Sequence, residues 1–430
     1  MTDMANASPA PEATARGEFS LGWRVLLAGF LGTMCGASPL PFNVLGFLFQ
    51  PLEAEFGWNV QQVSIGITIF GITASLLAPV FGWLADRYGV RKVAIWSLIG
   101  FILSFSSLYF TPPTLIGFYF LWLLVGLVGI GSTPVTWSRG LSLWFVKKRG
   151  LALGLMLVGT SAAALVVPQI AVWSSDNFGW RAIFPVVALL PLLIALPSTL
   201  AFFREPRAEE RPAALSTASG ELAGMTFKQA IRTRQFWILW FSIFLIASAY
   251  GGAHIHLPAI VGDHGIDRAA AAGIMGIVGI GLLCGRVGVG FMLDRIWGPA
   301  VAFPVLCLPA IAAYLLMGTS SEMQMISVAA FFLGFAAGAE SDLIAFLAAR
   351  YFGMAHFGRI YGMLYMPFGL MSAISPVIYG TVRVQTGSYD GMLMVAAAMF
   401  VIGGAMLLLL GRYPDELAEE KRPHGDAVPA

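Results

Sequence analysis

The sequence predicts an all-α membrane protein whose twelve transmembrane helices form two pseudo-symmetric six-helix bundles. Three observations lead there. Of 430 residues, 58% are hydrophobic and 11% charged, with a mean hydropathy of +0.79, where a soluble domain carries about a quarter charged residues. Twelve apolar stretches are long enough for a bilayer core, which takes about 20 helical residues. Landmarks of the first half return in the second at a nearly constant offset. A water-soluble globular fold is excluded.

Residues 1–20 are polar, rich in Ala and Pro, and carry Asp3, Glu12 and Glu18. That is unlike the basic start and short apolar core of a cleaved signal peptide, so the first apolar stretch reads as a retained anchor. The stretches begin near residues 22, 59, 93, 115, 150 and 181, then near 235, 269, 300, 323, 358 and 390. The longest polar interval, opening with Arg204-Glu205-Pro206-Arg207, separates the sixth from the seventh. The expected organisation is a tail over 1–20, a bundle over 21–203, a linker over 204–234, a second bundle over 235–411 and a tail over 412–430.

The two bundles read as copies. Gly82, Asp86 and Arg87 recur as Gly290, Asp294 and Arg295, at an offset of 208. Trp144-Phe145 recurs as Tyr351-Phe352 at 207, and Arg149 with Gly159 as Arg359 with Gly369 at 210. Paired repeats of this kind are how many secondary transporters form a central site that opens to each side in turn.

Net charge is only +2, from 25 basic and 23 acidic residues, so no uniform field exists to draw nucleic acid. The placement of the charges is informative. Twenty Lys and Arg fall on the side holding both termini, three (Arg181, Arg268, Arg383) on the other, and two (Arg139, Arg286) inside helices. Basic residues in short loops stay cytoplasmic, so the expectation is a bacterial inner-membrane protein with both termini inside. Cys35, Cys284 and Cys307 lie in apolar runs without disulfide or zinc spacing, and neither a metal nor a cofactor is expected.

The stretch Gly82-Trp83-Leu84-Ala85-Asp86-Arg87-Tyr88-Gly89-Val90-Arg91-Lys92 resembles the loop signature of the major facilitator superfamily, with a degenerate copy at Gly290 to Arg295. Trp144 to Gly154 with Gly159, Thr386-Gly387-Ser388-Tyr389-Asp390, and Phe47 to Trp58 resemble the monocarboxylate transporters and the oxalate/formate antiporters. The resemblance implies the major facilitator fold. It also implies that Asp86, Arg87, Asp294 and Arg295 are gating elements. Carboxylates favour helix N-termini, and such contacts must break on opening. The departures are specific. Where monocarboxylate transporters carry a first-helix lysine stands Asn43, the acid four residues before the eighth-helix arginine is Leu282, and the antiporters' eleventh-helix lysine is Phe368. One cation in the cavity suits a monoanion better than a dianion.

An ionisable side chain inside a spanning helix costs several kcal/mol unless paired or wetted, which makes each a functional candidate. Arg286 lies eight residues before Asp294, Arg139 eight before Lys147, and Glu340 and Asp342 ten and eight before Arg350. At about 1.5 Å per residue these groups sit roughly 12–15 Å deep, near the midplane. Arg286 is expected to bind a substrate carboxylate through its planar, permanently charged guanidinium, with Asn43 and Arg139 beside it. Glu340 and Asp342, about 200° apart on one helix, are the proton-coupling candidates; the alternative is that they neutralise Arg139. His254 and His256, in the outer part of the seventh helix, are external proton-acceptor or gate candidates.

The expected function is secondary transport of a small organic monocarboxylate with a proton, by a monomer in the bilayer. The alternatives are an exchanger of the oxalate/formate kind and, with less support, an efflux transporter. No Ser/His/Asp or metal spacing supports an enzyme.

Overall fold

In hydrocarbon every backbone amide must be satisfied within the protein, which leaves helices as the economical way to cross. The computed structural model describes residues 15–207, 210, 212, 215, 222–266, 268–317 and 322–414. The expected tails lie mostly outside the described residues. The helices are α1 (Ala15–Met34), α2 (Val60–Tyr88), α3 (Val90–Phe110), α4 (Leu115–Ser142), α5 (Arg149–Phe178) and α6 (Trp180–Phe202), then α7 (Arg234–Asp263), α8 (Arg268–Leu293), α9 (Gly298–Leu315), α10 (Met323–Phe352), α11 (Phe357–Thr386) and α12 (Asp390–Leu408). Among the described residues, eleven helices are long and apolar enough to cross a membrane. The twelfth, α1, carries Glu18 and Arg24 in its first turns.

Local sequence sets the boundaries. Asn59 and Gln62 form a reciprocal capping box at the start of α2, and the Thr233 hydroxyl accepts the Phe236 amide at 3.2 Å to start α7, each satisfying an amide the helix leaves open. The linker returns along the α10–α11 turn, where Met225 N donates to Phe352 O and Met354 N to Ala223 O, both at 2.8 Å.

The first span departs from the continuous helix expected from residue 22. Helix α1 starts at Ala15 and stops at Met34. After a turn, the chain resumes as Leu40–Val44, a single 3-10 turn Leu45–Phe47 and Phe49–Phe56. Pro39 and Pro41 have no amide hydrogen to donate, which explains the break. Helix α4 is broken too, by a 3-10 turn over Ile130–Ser132 ahead of Pro134. The breaks face each other: Ala37 N donates to Ser132 Oγ at 3.1 Å, and Trp137 Nε1 to Ser132 O at 2.9 Å. Gly36 lies so close to the Ser132 carbonyl that a Cβ would collide with it. Irregular backbone at membrane depth survives only where it is re-satisfied in this way or lines a cavity.

A second packing feature positions the charges. Gly281 and Gly285 on α8 lie against the carbonyls of Phe331 and Phe335, and Gly334 and Gly338 on α10 against those of Val278 and Leu282. Small residues four apart on both helices bring the backbones together. Arg286 is thereby held alongside α10, and its backbone and the Asp342 carboxyl meet at Gly154 of α5.

Candidate functional site

Both bundles present a carboxylate to the other at the face holding the described termini and linker. Asp86, at the end of α2, accepts Gly358 N and Arg359 N, both at 2.9 Å, capping α11. Asp294, after α8, accepts Gly150 N at 2.7 Å and Leu151 N at 3.1 Å, capping α5. Positions 150, 151 and 86 map onto 358, 359 and 294 at the offset of 208, so one contact is made twice about the internal two-fold. Gly82 with Gly358, and Gly150 with Gly290, approach so closely that a side chain on any of them would strike backbone. The face is closed. Burial pushes the Asp294 carboxyl up, against the amide hydrogen bonds from Leu151 and Gly150 that favour its ionised form.

Arg139 requires a correction. It does not reach the α8–α10 charges: its Nε donates to Asp86 Oδ1 at 2.6 Å, and its Nη1 lies 3.6 Å from Glu205 Oε1. Long arginine side chains carry their charge well away from their own Cα, so a depth counted along the helix places the residue but not its guanidinium. Glu205 in turn accepts Val90 N at 2.7 Å, fastening the linker to α3. The alternative in which Glu340 or Asp342 neutralises Arg139 falls with this. The guanidiniums of Arg87 and Arg295 lie over aromatic rings, Trp83 at 5.4 Å and Phe291 at 3.4 Å. Arg139→Gln and Asp86→Asn are therefore expected to behave alike: turnover falls, ligand affinity stays, and closure of this face weakens by roughly 2 kcal/mol, the scale of a charge-assisted hydrogen bond. Turnover measured beside equilibrium binding checks this, and a selective loss of affinity in Arg139→Gln would return Arg139 to the binding site.

On the opposite face, Arg181 binds Glu55 bidentately at 2.7 Å while Trp180 Nε1 donates to the same carboxylate at 2.8 Å. These hydrogen bonds, Arg181's first, hold Glu55 below the usual carboxylate range. Arg383 pairs with Asp263 at 2.9 Å.

Three ionisable side chains of the second bundle are buried and, among the described residues, form no salt bridge. Arg286, Glu340 and Asp342 are 6%, 5% and 0% exposed. Among the described residues, Nε and Nη1 of Arg286, both Asp342 oxygens and Glu340 Oε1 are buried without a hydrogen bond. Each unsatisfied buried polar atom costs about 1–3 kcal/mol, more when charged, which marks these residues as candidates for function. Asp342 is the carboxylate that acts electrostatically on Arg286, and it faces the other bundle, 3.3 Å from where a Cβ on Gly154 of α5 would stand. Glu340 lines a small apolar cavity inside the second bundle with Leu239, Ile243 and Leu343, and its charge acts on Tyr250 and Tyr365.

The histidines separate. His256 Nε2 lies 2.9 Å from the Pro376 carbonyl, so it must donate there, leaving Nδ1 to meet the Tyr389 hydroxyl at 3.0 Å. Both nitrogens are hydrogen-bonded within the second bundle. His254 stacks on Tyr250 at 5.4 Å with Nδ1 buried and unbonded. Asn43 Nδ2 donates to Pro39 O at 2.8 Å, within the broken first helix, and makes no hydrogen bond to Arg286. Sequence reasoning missed Tyr250, Tyr361 and Tyr365, which surround the charges, because aromatic residues in spanning helices are too common to single out. It also missed Glu18, which accepts the amides of Val146, Lys147 and Lys148 at 3.3, 3.0 and 3.0 Å.

Two six-helix bundles related by an internal two-fold, latched at one face and with buried charges in the second, define the architecture of an alternating-access membrane transporter. The chain belongs to the Major Facilitator Superfamily, whose family profile matches residues 25–376. It is 26% identical to monocarboxylate transporter 13 of Rattus norvegicus over 91% of this chain and 89% of that protein. It is 25% identical to the gallate transporter of Pseudomonas putida over 80% and 84%. The E. coli fucose:proton symporter shares the fold, with a TM-score of 0.69 and 14% identity over 90% of this chain and 98% of that one. The protein is a multi-pass transporter, not an enzyme.

Proposed function

We propose that the protein carries a small organic monocarboxylate across the bacterial inner membrane together with a proton, as a monomer with both termini cytoplasmic. The observation that carries this is the unpaired Arg286 guanidinium beside the unpaired Asp342 carboxyl. A substrate carboxylate bonds Arg286 in a charge-assisted, planar contact. That contact takes over the positive field that favours ionised Asp342, and Asp342 then accepts a proton. Anion and proton cross together without net charge, so the proton gradient drives uptake independently of the membrane potential. The named relatives, a monocarboxylate transporter and a gallate transporter, support a carboxylate cargo.

Proteoliposomes with an inward proton gradient test the reading. Labelled acid should accumulate above equilibrium and be released by a protonophore. Labelled-for-unlabelled exchange without accumulation would establish the anion exchanger instead.

A further inference from the structure

We infer that the carboxylate carried at this site bears an aromatic ring, lodged in the cavity where the breaks of α1 and α4 meet α11. The inference rests on the proposed carboxylate function and adds the chemistry of the rest of the substrate. A cavity of about 240 Å³ lies between the bundles, walled by Ser38, Phe42, Phe70 and Thr133 from one and by Tyr365 and Phe368 from the other. Roughly 150 Å³ of apolar space is enough for a benzene ring.

The wall chemistry is specific. The hydroxyls of Thr133, Ser75 and Ser372 donate to carbonyls of their own helices at 2.7, 2.6 and 2.7 Å, so three of the lining hydroxyls are already engaged. Ser38 and Tyr365 add two further hydroxyls, and the rest of the lining is apolar or aromatic. Two aromatic pairs remain, one from each bundle: Phe42 and Phe70 at 6.0 Å and 67°, and Tyr365 and Phe368 at 5.0 Å and 46°. Rings prefer edge-to-face and offset partners over plain aliphatic contact, and a third ring between these pairs meets both. Gly71 has space for a Cβ, its nearest neighbour being the Ala373 methyl at 3.6 Å, which keeps that wall flat. Tyr365 joins the cavity to the charges, since it lines the one and acts electrostatically on Arg286. The inferred cargo is therefore a short arylalkanoic acid, with its carboxylate at Arg286 and its ring in the cavity. Discontinuous helices around a mid-membrane cavity are a recurrent way for transporters to hold cargo.

The test uses the full chain in detergent and measures affinities for phenylacetate, cyclohexylacetate and acetate, with phenylacetamide as the uncharged control. Phenylacetate should bind about 10-fold or more tighter than acetate, and tighter than cyclohexylacetate. Phe368→Ala, which removes a wall, and Ala74→Leu, which fills the cavity, should each erase that preference, bringing the ratio of phenylacetate to acetate affinity to about one. Melting temperatures without ligand confirm that both variants fold. Equal binding of acetate and phenylacetate overturns the inference and leaves the carboxylate function standing, as does cyclohexylacetate matching phenylacetate. A preference retained in both variants overturns the placement in this cavity. Binding of phenylacetamide but of no acid removes the carboxylate function itself.

Discussion

Arg286→Lys is expected to lose most uptake, with affinity for the acid falling about 10- to 100-fold, although the charge is kept. The guanidinium presents a planar array of donors that matches a carboxylate, and an ammonium is a point donor on a flexible stem. A hydrogen bond to a charged group contributes about 1.5–3 kcal/mol, and 1.4 kcal/mol is tenfold. Packing sharpens the expectation, because the glycine seam with α10 fixes the α8 backbone beside Gly338 and leaves a lysine few ways to compensate. Uptake and equilibrium binding on the purified variant check the result. Wild-type affinity would remove Arg286 from the site.

Asp342→Asn is expected to abolish proton-driven accumulation while exchange of labelled for unlabelled acid continues. The amide imitates the protonated carboxyl permanently, so the carrier can reorient with substrate but cannot release a proton. Glu340→Gln is expected to keep accumulation, because Glu340 lines the apolar interior of its own bundle and Asp342 is the acid acting on Arg286. A purely structural Asp342 behaves otherwise. Its loss would leave a buried uncompensated cation, a penalty of about 3–5 kcal/mol, and every transport mode would fall together with thermal stability. Rescue of both by Arg286→Gln would identify that structural role.

The fold was legible because the bilayer imposes a coarse rule. Apolar length, basic loops and the offset of 208 between Asp86 and Asp294 are linear features. Their physical counterpart, two carboxylates capping helix N-termini across the interface, follows from the same residues. Details set by side-chain reach were not legible. Arg139 sits in a spanning helix yet ends its guanidinium at the closed face. His256 carries no sequence mark of the carbonyl and hydroxyl that engage it. The break in α1 was readable in principle from Pro39 and Pro41, but apolar residues on both sides disguise it as one continuous span. The tyrosines around Arg286 are invisible in a chain with 13% aromatic residues.

The central claim is that a carboxylate arriving at Arg286 causes Asp342 to take up a proton. Its most direct test is proton uptake on substrate binding, followed with an indicator dye in weakly buffered detergent solution near neutral pH. The account predicts about one proton taken up per acid bound by the wild-type chain, and none by Asp342→Asn at saturating acid. Binding without proton uptake in the wild type, or uptake undiminished in Asp342→Asn, would contradict it.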